Sequence, residues 1–300
     1  MGRKSLRNVL VVIPTLSTSR FDNVHRLVAT FESEGADVRI VANGRVSYRR
    51  LAEAGLPVIS AGRNLGFGAA VNFATAGLEN YEWLLIANDD VEITGEQAFD
   101  HFATTRHNRA WSMVTFGDEP SLPFPDGRAI FINLSLLGGI RRYFMTRRRN
   151  GEGPERWRGE ACYPFSFIAI SWDLWTSLDG LDERFPFTYE DADFTKRAID
   201  AGVEQVQLRS SGVRHLHSQT GLSQVELVLP VGAWSSYQYL QKWNFGRHRA
   251  ALVCIAALGM RFFLLPASRA NIRNHARGIV SAIRSIAGNR VPQLPDYENF

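Results

Sequence analysis

The sequence has few cysteines and no long apolar run, and both shortages limit what the chain can be. Two cysteines occur in 300 residues, Cys162 and Cys254, with no CxxC pair and no Cys/His cluster. A disulfide framework and a structural zinc site are therefore not expected, and a reducing, cytoplasmic setting is the default. The apolar run 251–260 is too short to cross a bilayer, which takes about 20 residues.

The remaining composition is that of a globular protein, with 45% hydrophobic and 21% charged residues. The length suits one large domain or two small ones. The basic start followed by an apolar run is also a feature of signal peptides. However, the run from Val9 to Ile13 is short, Pro14 closes it, and no small-residue cleavage site follows. We therefore expect a buried first strand at this position.

Positive charge is concentrated in residues 241–300. The basic residues there are Lys242, Arg247, Arg249, Arg261, Arg269, Arg273, Arg277, Arg284 and Arg290, against two acids, Asp296 and Glu298. The formal net charge of +4 therefore divides into +7 for this segment and −3 for residues 1–240. A basic segment on a mildly acidic body favours an anionic surface as partner, either a membrane or a nucleic acid.

The first hundred residues alternate between strand and helix signals. Strands are predicted at 8–15, 37–44, 57–62 and 81–90, and helices at 22–35, 49–55, 68–80 and 95–108. This alternation predicts an α/β fold with a mostly parallel central sheet flanked by helices. Ligands of such sheets bind beyond the carboxyl ends of the strands. The polar residues predicted at those ends are Thr15, Asn43, Arg63, Asn64, Asp89 and Asp90.

The rest of the chain is less regular. Residues 117–162 are rich in Gly, Pro and Arg and are predicted to form long loops with one short helix. Then follow a strand (162–171), a short helix, a helix from Thr188 or Tyr189 to Gly202, a strand and loop (203–218), and helices from about Tyr237 to 288.

Three short motifs carry candidate chemistry. Asp89 and Asp90 follow the apolar strand WLLIA, and a pair of carboxylates suits a hard divalent cation, although a solvated turn explains NDD equally well. The glycine-rich stretch 63–72 is not GxGxxG; it can approach an anion, but a loop needing positive φ is the simpler interpretation. In HLH, the strand-end position of His215 favours a role as metal ligand or acid/base.

The stretch YEDADF, residues 189–194, places three acids in four positions. Thr188 and Asp191 have the spacing of a capping box, and acids suit the first turn of a helix. With Phe194 on the buried face, Glu190 and Asp191 lie on or beside the inward side and could face a cleft. Asp193 is predicted to turn away and to pair with Arg197 at i,i+4. Burial and a second carboxylate would raise a pKa, as a general base requires.

Together these motifs resemble the family 2 inverting glycosyltransferases with a GT-A fold, especially the rhamnosyltransferase-like branch. The resemblance covers about residues 8–220 and depends on VVIPT, NLGFGAAVN, NDDV, LDGLDERFPFTYEDADF and VRHLHSQT. It implies a nucleotide-sugar half (1–116) and an acceptor half (117–235). The concentration of basic residues and the apolar spacing predict a basic amphipathic helical tail (236–300). The resemblance also implies a nucleotide-diphosphate sugar donor, Mg²⁺ or Mn²⁺, and a glycan or polyprenyl-linked acceptor.

The resemblance also assigns roles to residues. Asp90 and His215 match the metal site, and Asp191, with Glu190 beside it, matches the catalytic base. The donor site would include Pro14, Thr15, Asn43, Arg63, Asn64, Gly66 and Asp89. One departure is clear: the second strand of the family usually ends in Asp-Asn, whereas this chain has Ala42 before Asn43. The nucleobase is therefore not assigned.

The basic tail has two interpretations. Apolar residues recur at helical spacing at Ile272, Ala276, Ile279, Val280, Ile283, Ile286 and Ala287, flanked by arginines. This pattern predicts a helix lying on anionic lipid at the inner face of the cell membrane, which suits a lipid-linked acceptor of cell-envelope polysaccharide assembly. The alternative is a helix packed on the domain with a solvated basic edge.

Two other functions compete with glycosyl transfer. A sugar nucleotidyltransferase would need a basic, glycine-rich loop near the N-terminus, and VIPTLSTSRFDN offers little of that. A polyanion-binding protein would use the tail and the arginines of 141–149. Nucleic-acid binding is not predicted, because neither interleaved aromatics nor a recognisable module occurs.

Overall fold

The computed structural model describes residues 5–95, 99–106, 111–137, 155–157, 161–209, 212–216, 225–267 and 271–299. The strands are β1 Val9–Thr15, β2 Asp37–Ala42, β3 Val58–Ile59, β4 Trp83–Ala87, β5 Val91–Ile93, β6 Trp111–Phe116, β7 Leu122–Pro123, β8 Glu155–Trp157, β9 Ala161–Cys162, β10 Phe167–Ser171, β11 Glu204–Leu208 and β12 Val213–His215.

Eight of these strands form the central sheet, in the order β3-β2-β1-β4-β10-β6-β11-β8. Strands β3, β2, β1 and β4 run parallel, β10 is antiparallel to both of its neighbours, and β6 and β11 are again parallel. The predicted class, α/β with a mostly parallel central sheet flanked by helices, is confirmed. The carboxyl ends of β1, β2 and β4 consequently lie at one edge.

Burial on both faces explains the unbroken apolar run of β1. Val9, Val11 and Ile13 pack into the core on one face, and Leu10 and Val12 pack into the core on the other. A strand covered by helices on both sides must be apolar at every position, whereas a half-exposed strand would alternate. Every residue of β1 is buried, so the N-terminal run is a central strand, as predicted.

The helices are α1 Phe21–Ser33, α2 Arg45–Glu53, α3 Phe67–Thr75, α4 Asp100–Thr105, α5 Gly127–Leu134, α6 Trp172–Ser177, α7 Glu190–Asp200, α8 Val225–Trp243, α9 Arg247–Leu264 and α10 Ile272–Gly288. Most agree with the predicted positions, with shifted ends. Helix α2 begins four residues before the predicted start at 49, and α3 ends at Thr75, before the predicted end at 80.

Strand β6 is the main element without a sequence prediction. It lies between β10 and β11, and its register pairs Thr115 with Ile168 and with Gln207. Both partners lie more than 50 positions further along the chain, so the sequence near β6 contains no turn that would indicate a strand. The short helix expected in 117–162 is α5, capped by Asp126, whose Oδ1 accepts from Ala129 N at 2.6 Å. The centre of that segment, 138–154, lies outside the described residues.

Helices α8, α9 and α10 form a helical layer with its own core. Helical structure begins at Val225, earlier than the predicted start at Tyr237. The predicted boundary between residues 235 and 236 falls inside α8, and the division into halves and tail stays a prediction. Gly278 of α10 allows close packing on α8, because a Cβ there would lie 3.1 Å from Val225 O.

The apolar stripe of the tail lies partly against the protein. Ile279, Ala282 and Ile286 are buried in the helical core, and Ile283 packs beside it. Ile272 and Val280 are exposed. This part of α10 therefore packs on the domain, which was the alternative to the predicted helix lying on lipid. Among the described residues, no helix is both long and apolar enough to cross a membrane.

Candidate active site

The two acids after β4 lie in a tight turn that leads directly into β5. Val91 N donates to Asn88 O at 3.2 Å, and Asn88 N donates to Ser166 O at 2.8 Å. Asn23 of α1 also holds the turn, since its Nδ2 lies 2.8 Å from both Asp89 O and Val91 O. Sequence reasoning missed Asn23, because nothing in a helical pattern indicates a contact to a distant turn.

Asp89 and Asp90 point to different partners. Asp89 Oδ2 accepts from Thr15 Oγ1 at 2.7 Å, which joins the carboxyl ends of β1 and β4. The pKa of Asp89 is raised to about 6, mainly by burial. The charge of Asp90 also raises this pKa, and the hydrogen bond from Thr15 lowers it. Asp90 is itself buried, and its Oδ1 lies 2.9 Å from His215 Nε2.

His215 lies between two carboxylates. Strand β12 pairs with β5 so that His215 is opposite Val91, next to Asp90 in the chain. The Nδ1 atom of His215 lies 2.8 Å from Glu119 Oε1. Burial lowers the pKa of His215, but the hydrogen bonds to Asp90 and Glu119 raise it more, to about 9. The neighbouring His217 lies outside the described residues.

Glu119 is a site residue that sequence reasoning missed. Its second carboxylate oxygen, Oε2, accepts from Ser166 Oγ, so the side chain is held from both sides. Glu119 follows the carboxyl end of β6, which runs in the same direction as β4. Recognising 111–116 as a strand would have supplied the signal, since polar residues after such a strand reach the same edge. A cavity of about 350 Å³ borders Glu119, His215, Ser166 and Val91.

The helix that carries Glu190 and Asp191 begins in a strained way. Thr188 has φ +69° and Tyr189 has φ +71°, both in the left-handed region, and the helix start has no side-chain cap. The predicted capping box from Thr188 to Asp191 is therefore wrong. Non-glycine residues in this region cost about 1–3 kcal/mol each, so the surrounding contacts must impose the turn. Asp191 Oδ1 instead accepts from Ala192 N at 2.7 Å.

Both carboxyl groups at this helix start are hard to ionise. Burial raises the pKa of Glu190, and the charge of Asp191 raises it further. Burial also raises the pKa of Asp191, with hydrogen bonds from backbone N–H groups acting against it and the charge of Glu119 adding to it. Glu190 is 9% exposed, and its Oε2 has no hydrogen-bond partner among the described residues.

Asp193, in the same turn, is a structural residue. Its Oδ2 accepts from Arg197 Nε at 2.9 Å, which confirms the predicted i,i+4 pair. Its Oδ1 lies 2.5 Å from Lys242 Nζ and accepts from Trp243 Nε1 at 2.8 Å. The expectation that Asp193 turns away from the interior is wrong, since the side chain is fully buried beneath the end of α8. Asp193 thus ties α8 to α7.

The loop before α3 connects the two acidic regions. Asn43 N donates to Thr15 O at 2.8 Å, and Asn43 Nδ2 donates to Gly66 O at 3.1 Å. Gly66 has φ +79°, and a Cβ on it would lie 2.3 Å from Pro186 O, so only glycine fits. Phe67 N donates to the same oxygen at 3.2 Å. The loop therefore packs directly on the segment that leads to Glu190.

The candidate donor-site residues lie together at the strand ends, and Arg63 differs from the others in being exposed. Pro14 and Thr15 end β1, Asn43 follows β2, and Asn64 Oδ1 accepts from Gly66 N at 3.0 Å. A larger groove of about 740 Å³, bordered by Asn72, Trp172 and Asp182, does not include Asp90, Asp191 or His215. We therefore place the candidate site at the strand ends and not in that groove.

Comparison with known proteins yields likenesses of fold only. No family model matches the chain, and no curated protein matches it in sequence. Among solved structures, the chain is similar to the mannosyltransferase PcManGT from Pyrobaculum calidifontis, solved with GDP-Man and Mn²⁺: identity is 12%, the TM-score is 0.49, and 95% of this chain and 83% of that one are covered.

Two further structures resemble the chain. GalNAc-T7, solved with UDP, GalNAc and Mn²⁺, has 13% identity and a TM-score of 0.49 over 93% of this chain and 58% of that one. CMP:2-keto-3-deoxy-manno-octonic acid synthetase, complexed with CTP, has 11% identity and a TM-score of 0.40 over 67% of this chain and 89% of that one. None of the three reaches a TM-score of 0.5, so the residues of the site carry the functional inference.

Proposed function

We propose that the chain is an inverting glycosyltransferase that moves a sugar from a nucleotide-diphosphate sugar to an acceptor hydroxyl. One observation carries the proposal: two acidic regions from distant parts of the sequence meet at the carboxyl edge of the sheet. Asp90 contacts His215, and His215 contacts Glu119. The two regions are linked through Gly66, which accepts from Asn43 and packs on Pro186, four positions before Glu190. We assign the departing diphosphate to the first of these regions and the base for the attacking hydroxyl to the second.

The residues near Asp90 fit a divalent cation of the Mg²⁺ or Mn²⁺ kind. Asp90 Oδ1 and His215 Nε2 lie 2.9 Å apart, and a cation bound to both atoms would displace the proton between them. Glu119 on the other ring nitrogen would orient the imidazole. No cluster of three or more ligating side chains occurs among the described residues. The remaining ligands of a cation at Asp90 would be substrate phosphates and water. When bound, the cation would stabilise the charge of the departing diphosphate.

Asp191 is assigned as the general base. The acceptor hydroxyl must lose a proton as its oxygen attacks the anomeric carbon, and a carboxylate with a raised pKa is better suited to take that proton than an ordinary one. Burial beside Glu190 provides such an environment. One base and an in-line attack invert the anomeric centre. Burial and the charge of Asp191 raise the pKa of Glu190, which favours its neutral form beside the proposed base.

The donor and acceptor classes follow from the resemblance to the rhamnosyltransferase-like branch of family 2. Asn43, Asn64 and Gly66 form a hydrogen-bonded loop at the strand ends and would border the donor, together with Pro14, Thr15, Arg63 and Asp89. The candidate donor is dTDP-rhamnose, although Ala42 leaves the base open. The proposed acceptor is a lipid-linked or cell-envelope glycan.

The membrane part of the proposal rests on α9. Its exposed residues Arg249, Leu252, Met260 and Phe263 recur at intervals of three or eight positions and therefore share one face. Leu252 is 68% and Phe263 is 80% exposed. Large apolar side chains beside a basic residue suit peripheral binding to anionic lipid at the inner face of the cell membrane. We expect sedimentation with phosphatidylserine vesicles at low salt to weaken in Phe263→Ser but not in Phe73→Ser, an exposed control on α3.

The proposed function is tested by a thermal-shift screen of UDP-, dTDP- and GDP-sugars with and without Mn²⁺. We expect one nucleotide class to raise the Tm in the presence of Mn²⁺, and Asp90→Asn to remove that increase. Mass spectrometry of the reaction with an extracted envelope lipid should then detect the acceptor plus one sugar. A metal-independent response to every polyanion, with no nucleotide preference, would contradict the proposal and favour a polyanion-binding protein.

A further inference from the structure

The segment 291–299 folds back onto the carboxyl ends of β2 and β3. Asn64 Nδ2 donates to Pro295 O at 3.1 Å, and Tyr297 Oη lies 2.8 Å from Ser60 Oγ. Arg45, the first residue of α2, forms an ion pair with Glu298. These contacts join residues more than 230 positions apart, and the turn Tyr297–Asn299 also packs on α2.

This segment reaches the carboxyl end of β2, where the last residue of the strand is apolar. Strand β2 ends in Ala42, which is 1% exposed and offers a methyl group. Ser60 Oγ lies 3.1 Å from Ala42 O, and the same hydroxyl holds Tyr297. The tyrosine ring is therefore fixed beside the end of β2, and it is half-buried.

Asn64 links the segment to the candidate donor loop. Its Nδ2 donates to Pro295 O, while its Oδ1 accepts from Gly66 N at 3.0 Å. Gly66 O in turn accepts from Asn43 Nδ2, next to Ala42 in the chain. The segment, the loop and the end of β2 thus surround one short stretch of the edge.

We infer that Tyr297 is a specificity-determining residue that contacts the nucleoside of the donor and forms the outer wall of its pocket. The inference rests on the proposed function and deepens it. A nucleobase is flat and aromatic, and a tyrosine ring anchored through its hydroxyl offers it a surface at small entropic cost. The phosphates would then lie toward Asp90, so the segment and the acidic turn recognise different parts of one donor.

The test is isothermal titration of the full chain with UDP, dTDP, GDP and pyrophosphate, each in Mg²⁺. We expect Tyr297→Ala to weaken the preferred nucleoside diphosphate by about tenfold, because a base–aromatic contact is lost. Pyrophosphate, which lacks a nucleoside, should bind as it does to the unmodified chain. Tyr297→Phe, which keeps the ring, should retain most of the affinity.

Tyr81→Ala is the matched control. Tyr81 also bonds a neighbour through its hydroxyl, with Oη 2.9 Å from Asp37 Oδ2, but it lies at the opposite edge of the sheet, before β4. Thermal unfolding of every variant separates misfolding from lost recognition. Unchanged nucleoside diphosphate affinity in Tyr297→Ala would overturn the inference. Tighter binding would overturn it too, because it would show that Tyr297 obstructs the nucleoside and does not bind it. Absence of nucleotide binding by the unmodified chain would instead overturn the proposed function.

Discussion

The acidic turn after β4 and the acidic start of α7 hold their carboxylates in opposite ways. Asp89 and Asp90 each contact a polar side chain from another strand, Thr15 and His215. At the start of α7, Glu190 Oε2 has no partner among the described residues and the backbone before it is strained. The first arrangement suits holding positive charge, and the second suits keeping a carboxylate basic.

Asp193 shows that the acids at the start of α7 also differ among themselves. It lies two positions from Asp191 yet is fully buried and paired with Arg197, Lys242 and Trp243. Neighbouring acids in one helical turn thus differ because of what packs against each of them. Sequence position alone does not distinguish a structural carboxylate from a reactive one.

The largest expected effect is on the base. Asp191→Asn removes proton acceptance while keeping the shape, so we expect kcat to fall by about a thousandfold. Donor affinity, measured by titration with the nucleoside diphosphate, should stay within about twofold. Asp200→Asn, at the exposed end of the same helix, is the control. Turnover close to that of the control would exclude Asp191 as the base.

The next effect concerns the support of His215. Glu119→Gln keeps a hydrogen-bond acceptor but removes the charge that orients the imidazole, and such changes typically weaken metal binding by about 10–100-fold. We expect a correspondingly higher Mn²⁺ concentration for half-maximal thermal stabilisation in the presence of nucleotide. An unchanged Mn²⁺ requirement would separate Glu119 from the cation site.

Removing Asp193 should affect stability more than chemistry. Asp193→Ala leaves the mostly buried Arg197 without its carboxylate, which costs about 3–5 kcal/mol for a buried pair, while Lys242 keeps Asp182 as a partner. Urea denaturation measures the loss. Glu226→Gln breaks the exposed pair with Arg277 and should change the free energy of unfolding by less than about 0.5 kcal/mol. Similar losses in both variants would contradict the contrast between the two kinds of carboxylate.

The pH dependence of kcat tests whether the carboxylate of Asp191 keeps its raised pKa during turnover. Because burial raises the pKa of Asp191, protonation disables the base at a pH above the ordinary aspartate value of about 3.9. Activity should therefore rise with pH through an acid limb displaced upward from that value. An acid limb at the ordinary aspartate value would show that Asp191 is solvated during turnover.

The smallest expected effect is on backbone strain. Thr188 is exposed and β-branched with φ +69°, so Thr188→Gly should stabilise the fold by about 1 kcal/mol. Thr104→Gly, in the regular helix α4, should destabilise it instead. If Thr188→Gly also destabilises, the left-handed turn is held by contacts of the threonine side chain.

The sequence predicted those elements whose signal is local. Strands β1 and β4 are continuous apolar runs, and the acids after β4 fall at a strand end by simple counting. Strand β6 and Glu119 were missed because their partners lie far along the chain. The capping box failed because tertiary contacts, and not the local hydrogen bond, set the conformation of Thr188 and Tyr189.

The helices of the C-terminal tail show a different limit of sequence-based prediction. An apolar stripe on a helix predicts burial but not the identity of what covers it, so residues 272–287 were predicted to lie on lipid, with packing on the protein as the alternative. Ile279 and Ile286 pack on the protein, whereas Phe263 of α9 is exposed. The contact of Tyr297 with Ser60, across 237 positions, has no sequence signal at all.

The contact between Gly66 and Pro186 makes the donor loop and the acid-bearing turn one mechanical part. There is no room for even a methyl group between them, and Phe67 N donates to Pro186 O, so a movement that keeps these contacts shifts both segments together. If the proposed donor enters by moving the loop, we expect the start of α7, with Asp191, to move at the same time. Hydrogen exchange at Phe67 N, which is bonded to Pro186 O, would report on that event directly.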